Sequence, residues 1–137
     1  MRAVLFHCRN YLVKLERIAN RPVDIRPEEV KYKEQSCKDC VVALITVEDK
    51  DDPEIVAEKL SKEIIIMAKN VGQNSIVLLP FAHLSNNLAD TKKAIKTLGI
   101  IEKYLKDYNV LRAHFGSHKE LLLDIYGHPG NARYREY

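Results

Sequence analysis

No apolar run in these 137 residues approaches the roughly 20 needed to cross a bilayer. The opening MRAVLFHCRNYLV also lacks the basic start and small-residue cleavage site of a secretory leader, so a cytoplasmic protein without membrane contact is expected. There is no Gly-rich phosphate loop, no HExxH zinc pair and no GxSxG nucleophile elbow. The motif-borne routes to nucleotide hydrolysis, zinc proteolysis and α/β-hydrolase chemistry are therefore missing, as are internal repeats and low-complexity tracts. Cysteine is scarce, with three residues. The single CxxC, Cys37 to Cys40, has no second pair; only His7 and Cys8 stand by to complete a Cys3His zinc set. Because CKDC runs into a strand rather than a helix, redox catalysis is poorly served, and reduced thiols without a metal are the simpler expectation.

What is present describes one domain. A chain of 137 residues with 46% hydrophobic and 30% charged content buries one core and is too short for two, so residues 1–137 are read as a single unit. The net charge of +3 attracts polyanions only mildly. Basic residues thicken toward the C-terminus, where Arg112, His114, His118, Lys119, His128, Arg133 and Arg135 meet only Glu120, Asp124 and Glu136; an anion would dock there.

Periodicity gives the elements. Met1 to His7 reads as a strand, and Tyr11 to Ile18 as its hairpin partner. Ala19 to Asp39 is polar, holds Pro22 and Pro27, and reads as a long connection. Cys40 to Glu48, CVVALITVE, has the continuous apolar character of a strand buried on both faces. Asp52-Pro53-Glu54 starts a helix whose apolar stripe runs from Val56 to Val71 and stops at Gly72. Ser75 to Leu79 is a short buried strand ended by Pro80, and Asp90 caps a second helix with Ala94, Leu98, Ile101 and Leu105 inward. Asn109 to Phe115 and Lys119 to Tyr126 are two more strands around Gly116-Ser117-His118. The order ββ, loop, β-α-β-α-ββ predicts an α/β domain with one helix layer on a mixed sheet.

In open sheets ligands gather at strand ends. Val47-Glu48, Pro80 to His83 and Phe115 to Lys119 all fall there. His83 has the chemistry of a base or an orienting donor, and Lys119 that of an anion or oxyanion partner. GHPGNAR, with two glycines and a proline, is a backbone device around His128. No Ser and His pair in the sequence declares itself a triad.

The succession FH at residue 7, VALITVE at Val42 to Glu48, PFAHLS at Pro80 to Ser85, HFG-x-x-K at His114 to Lys119 and GHP at Gly127 to Pro129 resembles the archaeal-type N-terminal editing domain of threonyl-tRNA synthetase, nearly end to end. That family shares the D-aminoacyl-tRNA deacylase-like fold, a mixed β-sheet with two helices. The resemblance implies hydrolysis of serine from mischarged seryl-tRNA(Thr), with water attacking and the tRNA 2′-hydroxyl assisting. It implies catalytic or supporting roles for Lys119, His83 and His118. Val47, Pro80, Phe81, Ala82, His83, Phe115 and Gly116 would bind substrate, largely through main-chain groups. No cofactor is implied; the partners would be the aminoacylated tRNA 3′ end, a second copy in a homodimer, and the remainder of a threonyl-tRNA synthetase.

Three positions depart from the family pattern. Ser117 and His118 stand where an aromatic pair precedes the lysine, and Ala132 stands where an acidic residue follows GHP. The acid expected near Lys119 is then absent unless Glu136 or Asp124 substitutes for it. Two other readings are a non-catalytic tRNA-end or nucleotide-binding module of the same fold, and a zinc-supported interaction domain on Cys8, Cys37 and Cys40.

Overall fold

The computed structural model describes residues 1–20 and 27–137. Its elements are β1 (Arg2–Ile18), β2 (Glu34–Thr46), α1 (Pro53–Val71), β3 (Ser75–Pro80), α2 (Thr91–Tyr104), β4 (Asn109–Arg112), β5 (Ser117–Ile125) and β6 (Ala132–Glu136), with a one-turn 3-10 segment at Ala82–Leu84. The mixed sheet and two helices agree with the predicted class. The first two predicted strands are both extended, but they run on as one 17-residue strand instead of folding back as a hairpin. The predicted loop from Ala19 to Asp39 is shorter than expected, because β2 already begins at Glu34; its residues 21–26, Pro22 among them, lie outside the described residues. β6 was not expected.

The sheet is ordered β4-β3-β2-β1-β5, with β6 also on β1. β2, β3 and β4 are parallel, whereas β1 is antiparallel to β2, β5 and β6. The period of two explains the unbroken apolar run in β2. Val41, Ala43 and Ile45 face the helices along with Leu60, Ile64, Met67, Leu98 and Ile101. Cys40, Val42 and Leu44 face the other side, with Cys8, Tyr11, Val13, Val77 and Leu79.

That second face is buried because the sheet curls over it. Cys40, Ser75 and Asn109 lie abreast in the ladders. Gln35 lies five residues before that line and Arg112 three residues after it, about 26 Å apart on a flat sheet at roughly 3.3 Å per residue. Yet Gln35 Nε2 donates to the Arg112 carbonyl at 3.2 Å. The register shifts of β1 against β5, between Cys8 and Asn10 and between Leu15 and Arg17, supply the bends.

The helix ends follow the sequence signals. Asp52 accepts from the Glu54 and Ile55 amides, Pro53 takes the first turn, and Gly72 closes α1 at φ +69°. Asp90 accepts from the Lys93 amide at 2.8 Å to start α2.

GHPGNAR is an anchor, as its composition suggested. The His7 amide donates to the Asn131 carbonyl and the Tyr126 amide to the His7 carbonyl. His7 Nδ1 lies 2.7 Å from His128 Nε2, so one ring must accept what the other donates. Burial and the neighbouring His128 charge hold His7 below the usual histidine pKa, against the opposing charge of Asp39.

Three outcomes follow from this packing. Gly72→Ala should cost about 1 to 2 kcal/mol in urea denaturation for its left-handed backbone alone, since a Cβ there meets nothing within 4 Å. Gly116→Ala should cost more, because at φ +81° its Cβ would also sit 2.7 Å from Pro27 Cα. For His7, a lowered folded pKa means that the unfolded chain binds the proton more readily. Its contribution is therefore complete above pH 6.5 and is lost as pH falls toward the folded value, with a slope of at most about 1.4 kcal/mol per pH unit. His7→Gln should flatten that slope in denaturation curves between pH 7.5 and 5.

Candidate functional site

The ends of β2 and β3, the segments after them, helix α2 and the β4-β5 turn enclose a cavity of about 800 Å3. Its far wall is held by a strap. The Ala89 amide donates to the Val47 carbonyl and the Asp49 amide to the Asn87 carbonyl, and Ser85 Oγ donates to Glu48 Oε1 at 2.6 Å. Glu48 is buried but remains a carboxylate. The Ser85 hydrogen bond, the Met1 ammonium at 3.0 Å and Arg2 at 3.3 Å hold its pKa down against the cost of burial. Asp51 completes this cluster, 2.5 Å from the same ammonium.

Every residue that the sequence nominated for the site lines this one cavity: Val47, Pro80, Phe81, Ala82, His83, Phe115, Gly116, His118 and Lys119. Proline ends β3 at the cavity edge, where its missing amide removes no ladder bond that the turn needs. The next residue, Phe81, donates its amide to the Ile45 carbonyl, and its carbonyl accepts from the buried Thr46 hydroxyl. Phe81 thereby turns the chain into the Ala82–Leu84 segment. His83 is exposed there, with its ring edge-on to Phe81 at 5.0 Å. His118 is likewise exposed. Of the seven nominated substrate-binding positions, Phe81 is thus engaged on both main-chain groups, the Gly116 carbonyl accepts from the Ala19 amide, and two more have internal partners. The Val47 carbonyl holds Ala89, and both the amide and carbonyl of Phe115 are taken by Glu28.

Glu28 is the site residue that sequence reasoning missed. Its carboxylate pairs with Arg112 and accepts from the Phe115 amide at 3.0 Å. The main-chain carbonyl of Glu28 lies 2.5 Å from His114 Nε2, and His114 Nδ1 lies 2.9 Å from Ser117 Oγ. With Nε2 donating to a carbonyl, Nδ1 is the acceptor for the serine hydroxyl. Lys119 is half-buried and donates to the Ser117 carbonyl at 3.0 Å. Burial lowers its pKa from the ordinary lysine value, and the negative charge of Glu28 works in the opposite direction. Glu28 is the carboxylate whose charge opposes that lowering. Asp124 is committed to Arg9 at 2.6 Å and to Asn10 at 2.9 Å; Glu136 is committed to Arg2 at 3.2 Å. In the sequence this segment read only as a polar connection, and nothing in its spacing pointed to a lysine 91 residues away.

The cysteines do not assemble with His7. Cys8 is buried in the core on the far side from the helices, whereas His7 reaches toward Gln73 beyond α1, at 3.4 Å. Among the described residues no group of three or more His, Cys, Asp or Glu is placed to hold a metal, so the Cys3His set is corrected. Burial raises the Cys8 thiol to about 11 and lifts Cys40 as well, which leaves both as packing residues.

Comparison with known proteins points in one direction. The model of a family described as the archaea-specific editing domain of threonyl-tRNA synthetase matches residues 1–136. A threonine-tRNA ligase editing subunit of Saccharolobus solfataricus is 42% identical over 104 residues, covering 75% of this chain and 27% of that protein. Threonine-tRNA ligases of Staphylothermus marinus and Pyrococcus furiosus are 35% and 39% identical over 133 and 135 residues, in each case 94% of this chain and 21% of theirs. The chain spans about a fifth to a quarter of the length of these relatives.

Proposed function

The chain belongs to the family of archaea-specific editing domains of threonyl-tRNA synthetase, and from that premise we propose that it is a proofreading deacylase. It hydrolyses the ester of serine wrongly attached to tRNA(Thr). The observation that carries this reading is the convergence of eight nominated residues on one cavity beside the half-buried Lys119. The partner is the aminoacylated 3′ end of the tRNA, alone or presented by the remainder of a synthetase. The same proposal includes a homodimer, for which Leu122, half exposed on the end strand β5, offers apolar surface.

An aminoacyl ester is already activated, so a fixed water and a partner for the oxyanion provide much of the acceleration. The Ala82–His83 main chain, in its short helical turn, orients the aminoacyl-adenosine end. Lys119 supports the developing negative charge, and the tRNA 2′-hydroxyl assists the water. His83 and His118, both exposed at the cavity, contact the nucleotide. Serine and threonine differ by one methyl, which a pocket separates by only about 1 to 3 kcal/mol through apolar contact. Exclusion of the larger residue therefore falls to the rigid walls at Val47, Phe81 and Phe115.

A second reading is favoured by the Ser117-His114 contact, which has the nucleophile-base arrangement of covalent catalysis. The two are separated by Ser117→Ala. If water attacks, no seryl-enzyme ester accumulates in the wild-type chain and Ser117→Ala, which loses the His114 contact that steadies the turn, is slowed but active; if Ser117 attacks, the ester accumulates in the wild type and the variant is inactive.

The direct assay follows ester loss from seryl-tRNA(Thr) and threonyl-tRNA(Thr). The seryl form should be consumed selectively, and Lys119→Met should slow its loss at least tenfold, about 1.4 kcal/mol of barrier. Because burial lowers the Lys119 pKa, the enzymatic rate, after subtraction of spontaneous hydrolysis, should decline with rising pH before the ordinary lysine value of about 10.4 is reached. Binding of the tRNA end without turnover would instead identify a non-catalytic module. Light scattering that finds only monomer would remove the dimer.

A further inference from the structure

We propose that Glu28 is the positioning residue for Lys119: through its side chain, amide and carbonyl it clamps the segment from Arg112 to Phe115 that leads into the lysine. The inference rests on the deacylase reading and deepens it.

Three groups of one residue carry the clamp. The side chain takes Arg112 and the Phe115 amide. The Glu28 amide donates to the Phe115 carbonyl at 3.1 Å, closing a reciprocal pair. The Glu28 carbonyl takes His114, whose other nitrogen fixes Ser117, and the Ser117 carbonyl receives the Lys119 ammonium. Each contact ends on the turn between β4 and β5, so the lysine's place in the cavity is set by a segment more than 80 residues away in the chain.

The clamp is itself held. Arg112 is shared with Glu102 of α2 at 3.2 Å, so the guanidinium ties the turn to the helix that lines the cavity. The Glu28 and Arg112 side chains are 21% and 24% exposed, which shields the pair enough for its geometry to matter. Pro27 lies against Gly116, where only glycine leaves room.

The test is a double-mutant cycle on the seryl-tRNA(Thr) deacylation reaction with the full chain. Glu28→Gln keeps the shape and loses the charge. It should lower kcat about tenfold with KM changed less than twofold, and Glu28→Asp should recover part of the loss. In the Lys119→Met background, Glu28→Gln should add no further loss, because the two residues act as one unit. A wild-type kcat in Glu28→Gln, or a full multiplicative loss in the double variant, overturns the proposal. If the wild-type chain does not deacylate, the functional reading fails separately, and amide exchange decides the clamp. Glu28→Ala should then speed exchange at Phe115 at least tenfold while Val42 and Val77 in the sheet stay protected; unchanged exchange at Phe115 overturns it.

Discussion

The pairing of β1 on both of its edges is the constraint from which the rest of the structure follows. One edge is bonded to β2 from Arg2 to Lys14. The other is shared, with β6 over Arg2 to Phe6 and β5 over Cys8 to Ile18. A strand so long and so fully paired cannot lie flat, because strands twist and the twist accumulates along a ladder. Its two register shifts against β5 concentrate the bending. The strand's second half therefore carries β5 and the start of β2 over the sheet face, burying Tyr11 and Val13 against Val77 and Leu79. This closure brings the beginning of β5, with Lys119, to the cavity lined by the ends of β2 and β3.

The cavity depends next on charges placed where water is scarce. A buried charge is tolerated only when paired and hydrogen-bonded, and two carboxylates meet that condition in different ways. Glu48 joins the Met1 ammonium, Arg2 and Ser85, and so holds the strap that walls one side. Glu28 joins Arg112 and the Phe115 amide, and so holds the turn on the other side. Both act on main chain as much as on side chains. The proposed main-chain recognition of substrate needs such fixed supports, because an amide positions a ligand only as well as its own segment is positioned.

Local order was legible wherever short-range physics decides it. Asp52, Pro53 and Gly72 bounded α1, Asp90 opened α2, and the β-branched run at Cys40 to Thr46 marked the central strand. The hairpin expected between His7 and Tyr11 does not form. Cys8, Arg9 and Asn10 remain extended because ladders on both edges outweigh their weak strand preference. β6 escaped notice because ARYRE alternates with exposed and half-buried residues and carries no apolar face. Ala132 pairs there with Phe6.

By itself the sequence determined the helices, the central strands and the family, because caps, periodicity and strand-end motifs are encoded within a few neighbouring positions. Only the tertiary structure decided that β1 is continuous, that the Cys3His set is split between opposite faces, and that Glu28 clamps the turn that leads into Lys119. Each of these depends on which segments lie side by side after the sheet curls. That curl is a sum of small twists along a long ladder, and no short stretch of residues carries it.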